Sequence, residues 1–319
     1  MKTTVELGKT MHEALPLRAS RWRRWKAHQA LLCMLVPGLL YFIIFHYIPM
    51  LGAVIAFKDF KILGGISASP WVGMKHFDKA FSDPYFYTVL RNSILISFYK
   101  LLFGFPVPIL FALLMNEIRH IHFKKVAQTV SYLPHFISWV VLSGIFISIF
   151  SLDGAVNGLL KLAGLEPVLF MADERYFRSI LVITDIFQSF GWESIIYFAA
   201  IAGISQEMYD AAVIDGASRT QRIMNITIPM LLPTICILLV LRMAHVLDAG
   251  FDQIFNMYSA KVYEVSDIID TYVYRKGLID ANYSYSTAVG LFKSVVALVL
   301  IVVVNKVVGL MGGKEHTLW

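Results

Sequence analysis

Six long apolar segments, separated by shorter polar stretches, constrain this chain more than any other feature of its sequence. Of its 319 residues, 57% are hydrophobic and 16% are charged, and the mean hydropathy is +0.65. A water-soluble fold could not bury this much apolar surface. A helix needs about 20 apolar residues to cross a bilayer, and each segment reaches that length. The sequence therefore predicts an all-α polytopic membrane protein.

The apolar segments divide the chain into a membrane domain and two polar ends. Residues 1–29 form a polar N-terminal segment, residues 30–312 the transmembrane domain, and residues 313–319 a short tail. The predicted spans are residues 30–56, 89–115, 127–149, 179–204, 228–251 and 284–310.

Charge predicts the orientation of these spans. Five basic residues come immediately before the first span: Arg18, Arg21, Arg23, Arg24 and Lys26. By the positive-inside rule they place the N-terminus in the cytoplasm, and the basic turn at residues 117–125 agrees. Six spans then place the C-terminus in the cytoplasm as well. The net charge of +6 suits basic inside loops facing membrane lipid, and it does not suggest nucleic acid as a partner.

The polar stretch between the fourth and fifth spans, residues 205–227, is the most informative interruption. Its sequence, SQEMYDAAVIDGASRTQRIMNIT, predicts a short helix, a turn at Gly216 and a second short helix. Pro229 and Pro233 follow, in what we expect to be the first turns of a new span. Small alanines would let another backbone approach, while Met208 and Tyr209 could fill a pocket on a partner. A connector without a partner is the simpler alternative.

Charged side chains within the spans are candidates for lining a solute route. Each costs about 2.5–3.5 kcal/mol at the centre of a span, so such residues usually face a cavity or a partner. Spacings of three and four residues place His245, Asp248 and Asp252 on one helical face, close to Arg242. The candidates are Asp185, Glu193, Arg242, His245, Asp248, Asp252 and Lys293.

The same residues allow a purely structural interpretation. Lys293 could pair with Asp248 or Glu193 to hold the helices together, and Lys100 could extend toward the interface. Aromatic residues of the outside segments could stack on sugar rings, although such residues more often anchor a protein at the interface. They are Phe251, Phe255, Tyr272, Tyr274, Tyr283 and Tyr285.

Motifs for enzymatic chemistry are missing from the sequence. Gly8-Lys9-Thr10 is similar to the end of a phosphate-binding loop, but Thr3 stands where that motif needs a glycine. No HExxH, GxSxG or cysteine–histidine metal spacing is present. We therefore expect that this chain is not an enzyme and has no metal or cofactor of its own. Any ATP hydrolysis would belong to another polypeptide.

The stretch from Ser205 to Pro233 resembles the cytoplasmic EAA signature of ABC-importer permeases. Asp210 stands in place of the signature glutamate, and Ile223 stands where phenylalanine is common. The other matching positions are Ala211, Ala212, Asp215, Gly216, Ala217, Ile226, Ile228 and Pro229. The stretches GAVIAFKDFK (52–61), FPVPILFALLMNEI (105–118) and VSYLPHFISWVV (130–141) resemble the oligo- and polysaccharide subgroup, most of all the larger permease subunit of bacterial alginate importers.

The resemblance implies a six-helix type I importer domain in a bacterial inner membrane. It also implies a second, homologous permease subunit, two cytoplasmic ATPase subunits that bind ATP and Mg, and a periplasmic solute-binding protein that delivers a carbohydrate. Alginate is a polyuronate, so positive potential from Lys100, Arg242 and Lys293 would help it along the route. The expected ATPase-coupling residues are Tyr209, Asp210, Ala211, Ala212, Asp215, Gly216, Ala217 and Arg219.

Two other classes of function stay open at this point. A secondary transporter would use Asp185, Glu193 and Asp248 as proton or sodium sites, and would work without an ATPase. A polytopic membrane enzyme would need a pair of catalytic residues near an interface, and the sequence shows none.

Overall fold

The computed structural model describes residues 29–244 and 246–312, and this part of the chain is almost entirely helical. The predicted all-α class is therefore confirmed. The basic N-terminal cluster, His245 and the tail 313–319 lie outside the described residues. The helices are α1 Gln29–Phe42, α2 Ile48–Met50, α3 Gly65–Ala68, α4 Lys75–Ser82, α5 Pro84–Tyr99, α6 Pro106–Asn116, α7 Ile121–Tyr132, α8 Trp139–Ile149, α9 Ala155–Leu162, α10 Glu174–Ala202, α11 Gln206–Ile214, α12 Arg219–Arg222, α13 Ile228–Ala244, α14 Phe251–Met257, α15 Tyr263–Ser266, α16 Ile269–Tyr274 and α17 Tyr283–Gly312.

The chain divides into two units after Val54, and the described parts of these units are residues 29–54 and residues 55–244 and 246–312. In the first unit, α1 continues through a π-helical turn into α2. The second unit contains α3 to α17 and every residue discussed below as a candidate site.

Several helices are long and apolar enough to cross a membrane. Within the described residues, four continuous helical stretches meet this test, some of which join several of the elements above. They are Leu32–Phe57, Pro84–Asn116, Arg219–Met243 and Tyr283–Lys306. Helix α7 with the 3-10 turn Leu133–Phe136 that extends it meets this test together with α8, and the two are bent by 104° at residues 137–138. Helix α10, with 29 residues, is long enough to cross a membrane but does not meet the test, and five of its residues are charged. Six spans with both termini in the cytoplasm remain a prediction.

Capping residues explain why two helices begin earlier than hydropathy indicated. Helix α5 begins at Pro84 and not at residue 89, because the Asp83 carboxylate accepts a hydrogen bond from Tyr85 N at 2.9 Å. Helix α10 begins at Glu174 and not at residue 179, because Asp173 does the same for Arg175 N at 2.9 Å. An aspartate before the first turn satisfies amide groups that have no partner inside the helix.

A π-helical turn precedes each of three prolines: Ile43–Tyr47 before Pro49, Lys100–Gly104 before Pro106 and Ile223–Thr227 before Pro229. Proline lacks an N–H and its ring clashes with the preceding turn, and the wider turn relieves both problems. The apolar helix of the fifth span therefore begins before residue 228, where hydropathy placed its start. That helix runs from Arg219, with Pro233 inside α13.

Packing around α10 organises the core of the second unit. Phe146 of α8, Leu181 of α10 and Ile254 of α14 belong to one buried apolar cluster. At Gly191, helix α10 approaches α7 so closely that a β-carbon would lie 2.0 Å from the Ser131 carbonyl oxygen. Only glycine permits this contact, which brings one face of α10 against α7.

A buried polar network around Asp267 joins α5 to the region of α15 and α16. The fully buried Asp267 carboxylate is paired with Arg275 and accepts hydrogen bonds from Tyr85 Oη at 2.8 Å and Thr271 Oγ1 at 2.7 Å. Asn92 Nδ2 donates to the Asp267 carbonyl at 3.1 Å. The hydrogen bonds that Arg275 donates to the Asp267 carboxylate raise the pKa of the guanidinium above its usual range, so Arg275 stays charged. Hydropathy does not reveal this network.

Candidate coupling segment and polar route

The coupling segment, residues 205–227, has the predicted helix–turn–helix form. Helix α11 ends in a Schellman-type turn, where Ala217 N donates to Ala212 O at 2.8 Å and Gly216 N donates to Val213 O at 3.0 Å. Gly216 has φ +77°, a backbone conformation that favours glycine. Helix α12 then begins with a capping box between Ser218 and Gln221. The Asp-Gly-Ala part of the motif is thus a helix terminus.

Most of the coupling segment is exposed, and its surface combines two exposed apolar side chains with charged ones. Ile214 is 86% exposed and Val213 is 53% exposed. Asp210, Ala211 and Asp215 are exposed beside them, as are Gly216 and Arg219, while Ala212 and Ala217 are half-buried. Exposed apolar side chains such as Val213 and Ile214, at the end of a capped helix, form a suitable contact surface for a partner protein.

Tyr209 differs from the expectation that it projects toward a partner. Its side chain is half-buried, and its hydroxyl lies 2.9 Å from the buried Thr227 Oγ1. Thr227 ends the π-helical turn that leads into α13. Tyr209 therefore braces α11 against the start of α13, whereas Met208, 40% exposed, remains available on the surface.

Four of the intramembrane charges assemble into one group, which we call the central charge cluster: Lys100, Asp185, Glu193 and Arg242. Lys100 Nζ donates to Asp185 Oδ1 at 2.8 Å, and Arg242 Nη2 lies 3.9 Å from the other oxygen of Asp185. Arg242 Nη1 also pairs with Glu193. The cluster joins the π-helical turn after α5, helix α10 and the end of α13.

Lys100 is the buried member of the cluster. Besides Asp185, its ammonium group donates to the Ala249 carbonyl at 2.9 Å and to the Gln253 side-chain oxygen. Gln253 in turn donates to Leu181 O and Thr184 Oγ1, each at 2.7 Å. The side chain of Lys100 is only 8% exposed. The alternative in which Lys100 extends toward the interface is therefore wrong.

Arg242 and Glu193 border a groove that sequence reasoning did not identify. The groove has a volume of about 490 Å³, with Trp192, Tyr197 and Phe105 among its aromatic lining. Trp192 is 42% exposed, and one face of its ring stacks on His135 at 4.7 Å and 2°. A tryptophan next to an intramembrane glutamate was the available signal. The other lining residues are Glu193, Ile195, Ile196, Leu238, Leu241 and Arg242.

A smaller cavity of about 250 Å³ lies on the Asp185 side of Arg242. Ser97 lines it, is 7% exposed, and its hydroxyl has no hydrogen-bond partner among the described residues. The remaining lining residues are Lys100, Leu101, Asp185, Arg242, Val246, Asp248 and Gly250. Arg242 therefore contributes to the walls of both the groove and the cavity.

Lys293 forms a second group of charges with two carboxylates. Its ammonium group is paired with Asp248 and donates to Asp270 Oδ1 at 2.6 Å. The expected alternative of a Lys293–Asp248 pair is present, whereas Glu193 is paired with Arg242. Asp248 also borders the 250 Å³ cavity, so the second group adjoins the central charge cluster.

The predicted polar face of the fifth span does not exist as one helical face. Helix α13 ends at Ala244, and Gly250, with φ +95°, separates it from α14. Asp248 lies in the loop, and Asp252 is an exposed residue of α14. The helix pattern fails there because Lys100 binds the Ala249 carbonyl and Gly250 turns the chain in a left-handed conformation.

The charges of the two groups also correct the expected positive potential. Lys100, Arg242 and Lys293 are each paired with carboxylates. Together these three cations face four acidic groups: Asp185, Glu193, Asp248 and Asp270. Within these seven described side chains, a simple sum of charges therefore gives no excess of positive charge.

The aromatic residues of the outer segments separate into two sets. Tyr272 and Tyr285 are each 2% exposed, and their hydroxyls lie 2.9 Å apart. They therefore belong to the core and cannot stack on a sugar. Phe251 and Phe255 stack at 5.2 Å, and Tyr274 packs edge-on against Phe255 at 4.9 Å. Phe255 is 37% exposed, so this second set reaches the surface.

Metal-ligating side chains are dispersed in the described part of the chain. Residues 29–244 and 246–312 contain no group of three or more histidine, cysteine, aspartate or glutamate side chains that could hold a metal ion. Both cysteines, Cys33 and Cys236, are free thiols.

Similar proteins cover nearly the whole chain. It is 42% identical over 295 residues to protein LplB of Bacillus subtilis (strain 168). This alignment covers 92% of this chain and 90% of LplB. It is also 42% identical over 274 residues to the polygalacturonan/rhamnogalacturonan transport system permease protein YteP of the same organism, with 86% and 85% covered.

A solved structure has the same fold. A chain of the bacterial alginate ABC transporter in complex with alginate pentasaccharide-bound periplasmic protein superimposes with a TM-score of 0.85 at 39% identity. The match covers 92% of this chain and 98% of that one. Residues 104–312, which include the coupling segment and three members of the central charge cluster, match the family model of binding-protein-dependent transport system inner membrane components. The chain therefore belongs to that family, as a permease of the sugar ABC importer type.

Proposed function

We propose that this chain is a permease subunit of an ATP-driven importer for an acidic oligo- or polysaccharide in a bacterial inner membrane. It forms the translocation route with a second, homologous permease subunit, and a periplasmic solute-binding protein delivers the saccharide. The match over 92% of the chain to a subunit of an alginate transporter carries this proposal. The likeness to a polygalacturonan/rhamnogalacturonan permease supports the same substrate class, since both polymers contain uronate units.

The coupling segment transmits movement from two cytoplasmic ATPase subunits, which bind ATP and Mg²⁺. Its exposed apolar residues Val213 and Ile214 suit a groove on a partner, and the caps at both ends keep α11 rigid. Tyr209 is bonded to Thr227 at the base of α13. A displacement of α11 is therefore passed to a membrane helix.

Helix α13 links the coupling segment to the polar route. Thr227 precedes its first residue, and Arg242 lies near its last. Arg242 lies fifteen positions after Thr227, a distance of about 22 Å along a helix at 1.5 Å per residue. Closure of the ATPase subunits tilts this helix and opens the route outward, and hydrolysis returns it. The groove beside Trp192 and the cavity beside Ser97 are the parts of the route that this chain supplies.

The composition of the complex and its response to sugar test the proposal. Co-purification with a second permease and ATPase subunits is expected, as is stimulation of ATP hydrolysis by acidic oligosaccharides with the binding protein. Neutral oligosaccharides of equal length should stimulate weakly. Uptake driven by an ion gradient, by this chain without an ATPase, would favour a secondary transporter instead.

Two variants test the coupling segment. Gly216→Val places a β-branched residue at φ +77°, and Asp215→Lys reverses a charge on the exposed face. Each is expected to abolish ATP-dependent uptake and to leave membrane insertion intact. Gly216→Asn is the matched control, because asparagine tolerates a left-handed conformation. Normal uptake in both test variants would exclude transmission of movement through the coupling segment.

A further inference from the structure

The two cations of the central charge cluster have different surroundings. Lys100, 8% exposed, is held by Asp185, the Ala249 carbonyl and Gln253. Arg242 is 26% exposed and has one close carboxylate, Glu193, which is itself 31% exposed. Displacing Lys100 would break three hydrogen bonds in a buried site, whereas Arg242 and Glu193 can separate within a space that is already open.

Arg242 also occupies the position from which both voids can be reached. It borders the apolar, aromatic groove of about 490 Å³ and the polar cavity of about 250 Å³. The groove falls in the range of roughly 300–1,000 Å³ that is usual for small-molecule sites. One face of the Trp192 indole is covered by His135. The opposite face suits the apolar C–H side of a sugar ring, with the ring's carboxylate directed at Arg242.

The need to keep Arg242 paired with a carboxylate gives this arrangement its selectivity. A guanidinium that loses its counter-charge in a partly buried site is costly, so a neutral sugar cannot displace Glu193 cheaply. A saccharide carboxylate replaces one carboxylate acceptor with another and keeps Arg242 paired. Glu193 then turns toward the open groove, and the unpartnered Ser97 hydroxyl in the adjoining cavity offers a further donor.

We propose that Arg242 is the exchangeable carboxylate-binding residue of this permease: a uronate carboxylate takes the place of Glu193 on its guanidinium, while Lys100 stays paired with Asp185. This inference rests on the proposed function above and adds the residue that selects for acidic sugar. Selection by exchange does not require an excess of positive charge along the route, and the structure shows none in these two groups.

The test compares an oligogalacturonate with its methyl ester, so that only the carboxylate charge differs. Saturation-transfer NMR on the purified permease–ATPase complex, without binding protein, measures the half-saturating concentration of each. In the unmodified complex the acid is expected to bind about tenfold tighter than the ester, in line with one hydrogen-bonded charge pair. Arg242→Gln should reduce this ratio to about one.

Removing the charge of Glu193 instead of Arg242 should change the acid-to-ester preference in the opposite direction. Glu193→Gln removes the competing carboxylate, so the preference for the acid should rise above the value of the unmodified complex. A merely structural ion pair would weaken binding of both sugars in both variants and would leave the ratio unchanged. Arg175→Gln is the matched control, since it removes an arginine paired with Asp173 outside the cluster.

The outcomes separate this inference from the function on which it rests. An acid-to-ester ratio that stays constant in Arg242→Gln and Glu193→Gln overturns the exchange alone, even where both sugars bind. A complex that binds neither sugar and whose ATPase responds to neither contradicts the proposed function itself. Should Arg242→Gln fail to assemble, the direction of change in Glu193→Gln decides.

Discussion

The coupling segment and the central charge cluster differ in the range of the interactions that build them. In the coupling segment, Ser218 bonds to Gln221 three positions away, and the longest side-chain bond joins Tyr209 to Thr227, 18 positions away. In the cluster, Lys100 bonds to Asp185 and Gln253, which are 85 and 153 positions away. Local bonds leave a readable pattern in the sequence, whereas long-range pairs leave only isolated charges.

The two regions also differ in what a substitution disturbs. Residues of the coupling segment are mostly exposed, so a change there should affect docking more than folding. Lys100 and its partners lie between packed helices, so a change there should affect folding first. Three predictions follow from this contrast, and each would weaken it if wrong.

Lys100→Met has the largest expected effect. It leaves Asp185 and Gln253 without the ammonium group that joins them, and removing one partner of a buried ion pair costs about 3–5 kcal/mol. We expect a large fall in the apparent melting temperature of the purified complex, followed by tryptophan fluorescence. Lys276→Met is the control, because its pair with Asp280 is exposed and worth about 1 kcal/mol at most. Equal losses in the two variants would contradict the contrast.

The left-handed glycines of the two regions offer a matched comparison. Gly216 has φ +77° and open space around the position of a β-carbon, whereas a β-carbon at Gly250, with φ +95°, would lie 2.8 Å from Lys100 Nζ. Alanine carries a left-handed strain of about 1–2 kcal/mol at either site. Gly250→Ala adds displacement of the Lys100 ammonium group, so its melting temperature should fall further than that of Gly216→Ala. A larger fall at Gly216 would show that the cluster is not rigid.

Tyr209→Phe has the smallest expected effect on stability. It removes the hydroxyl that bonds to Thr227, and a single hydrogen bond contributes about 0.5–1.5 kcal/mol. We expect a clear fall in uptake per ATP hydrolysed and only a small fall in the melting temperature, because the bond connects α11 to α13. Thr227→Val and the double variant complete a mutant cycle in uptake. Additive effects of the two changes would mean that this bond carries no coupling.

Capping and turn signals explain where prediction from sequence succeeded. The helix, the Gly216 turn and the second helix of the coupling segment depend on Ser205, Ser218 and Gly216, which act within a few residues of themselves. The apolar helices follow from hydropathy in the same way. Hydropathy places the starts of two helices too late, at residues 89 and 179, because it does not detect the capping residues Asp83 and Asp173.

The fifth span shows why contacts between distant helices could not be predicted from the sequence. Residues 242–252 have a helical spacing of polar groups, yet the chain leaves the helix after Ala244. A carbonyl released by that break, Ala249 O, is bound by Lys100 from a helix that lies 149 positions earlier. No local rule connects those two residues. The buried Asp267 network and the Trp192 groove have the same origin in contacts between distant helices.

By itself, the sequence determined that this chain is a helical membrane protein with one helix–turn–helix between apolar segments. Those properties depend on the period and polarity of neighbouring residues, which are visible in any short window. Only the tertiary structure decided which charges meet, which cation is buried and which borders open space. Ion pairing depends on distances of a few ångströms between residues far apart in the chain, and such distances exist only after the helices have packed.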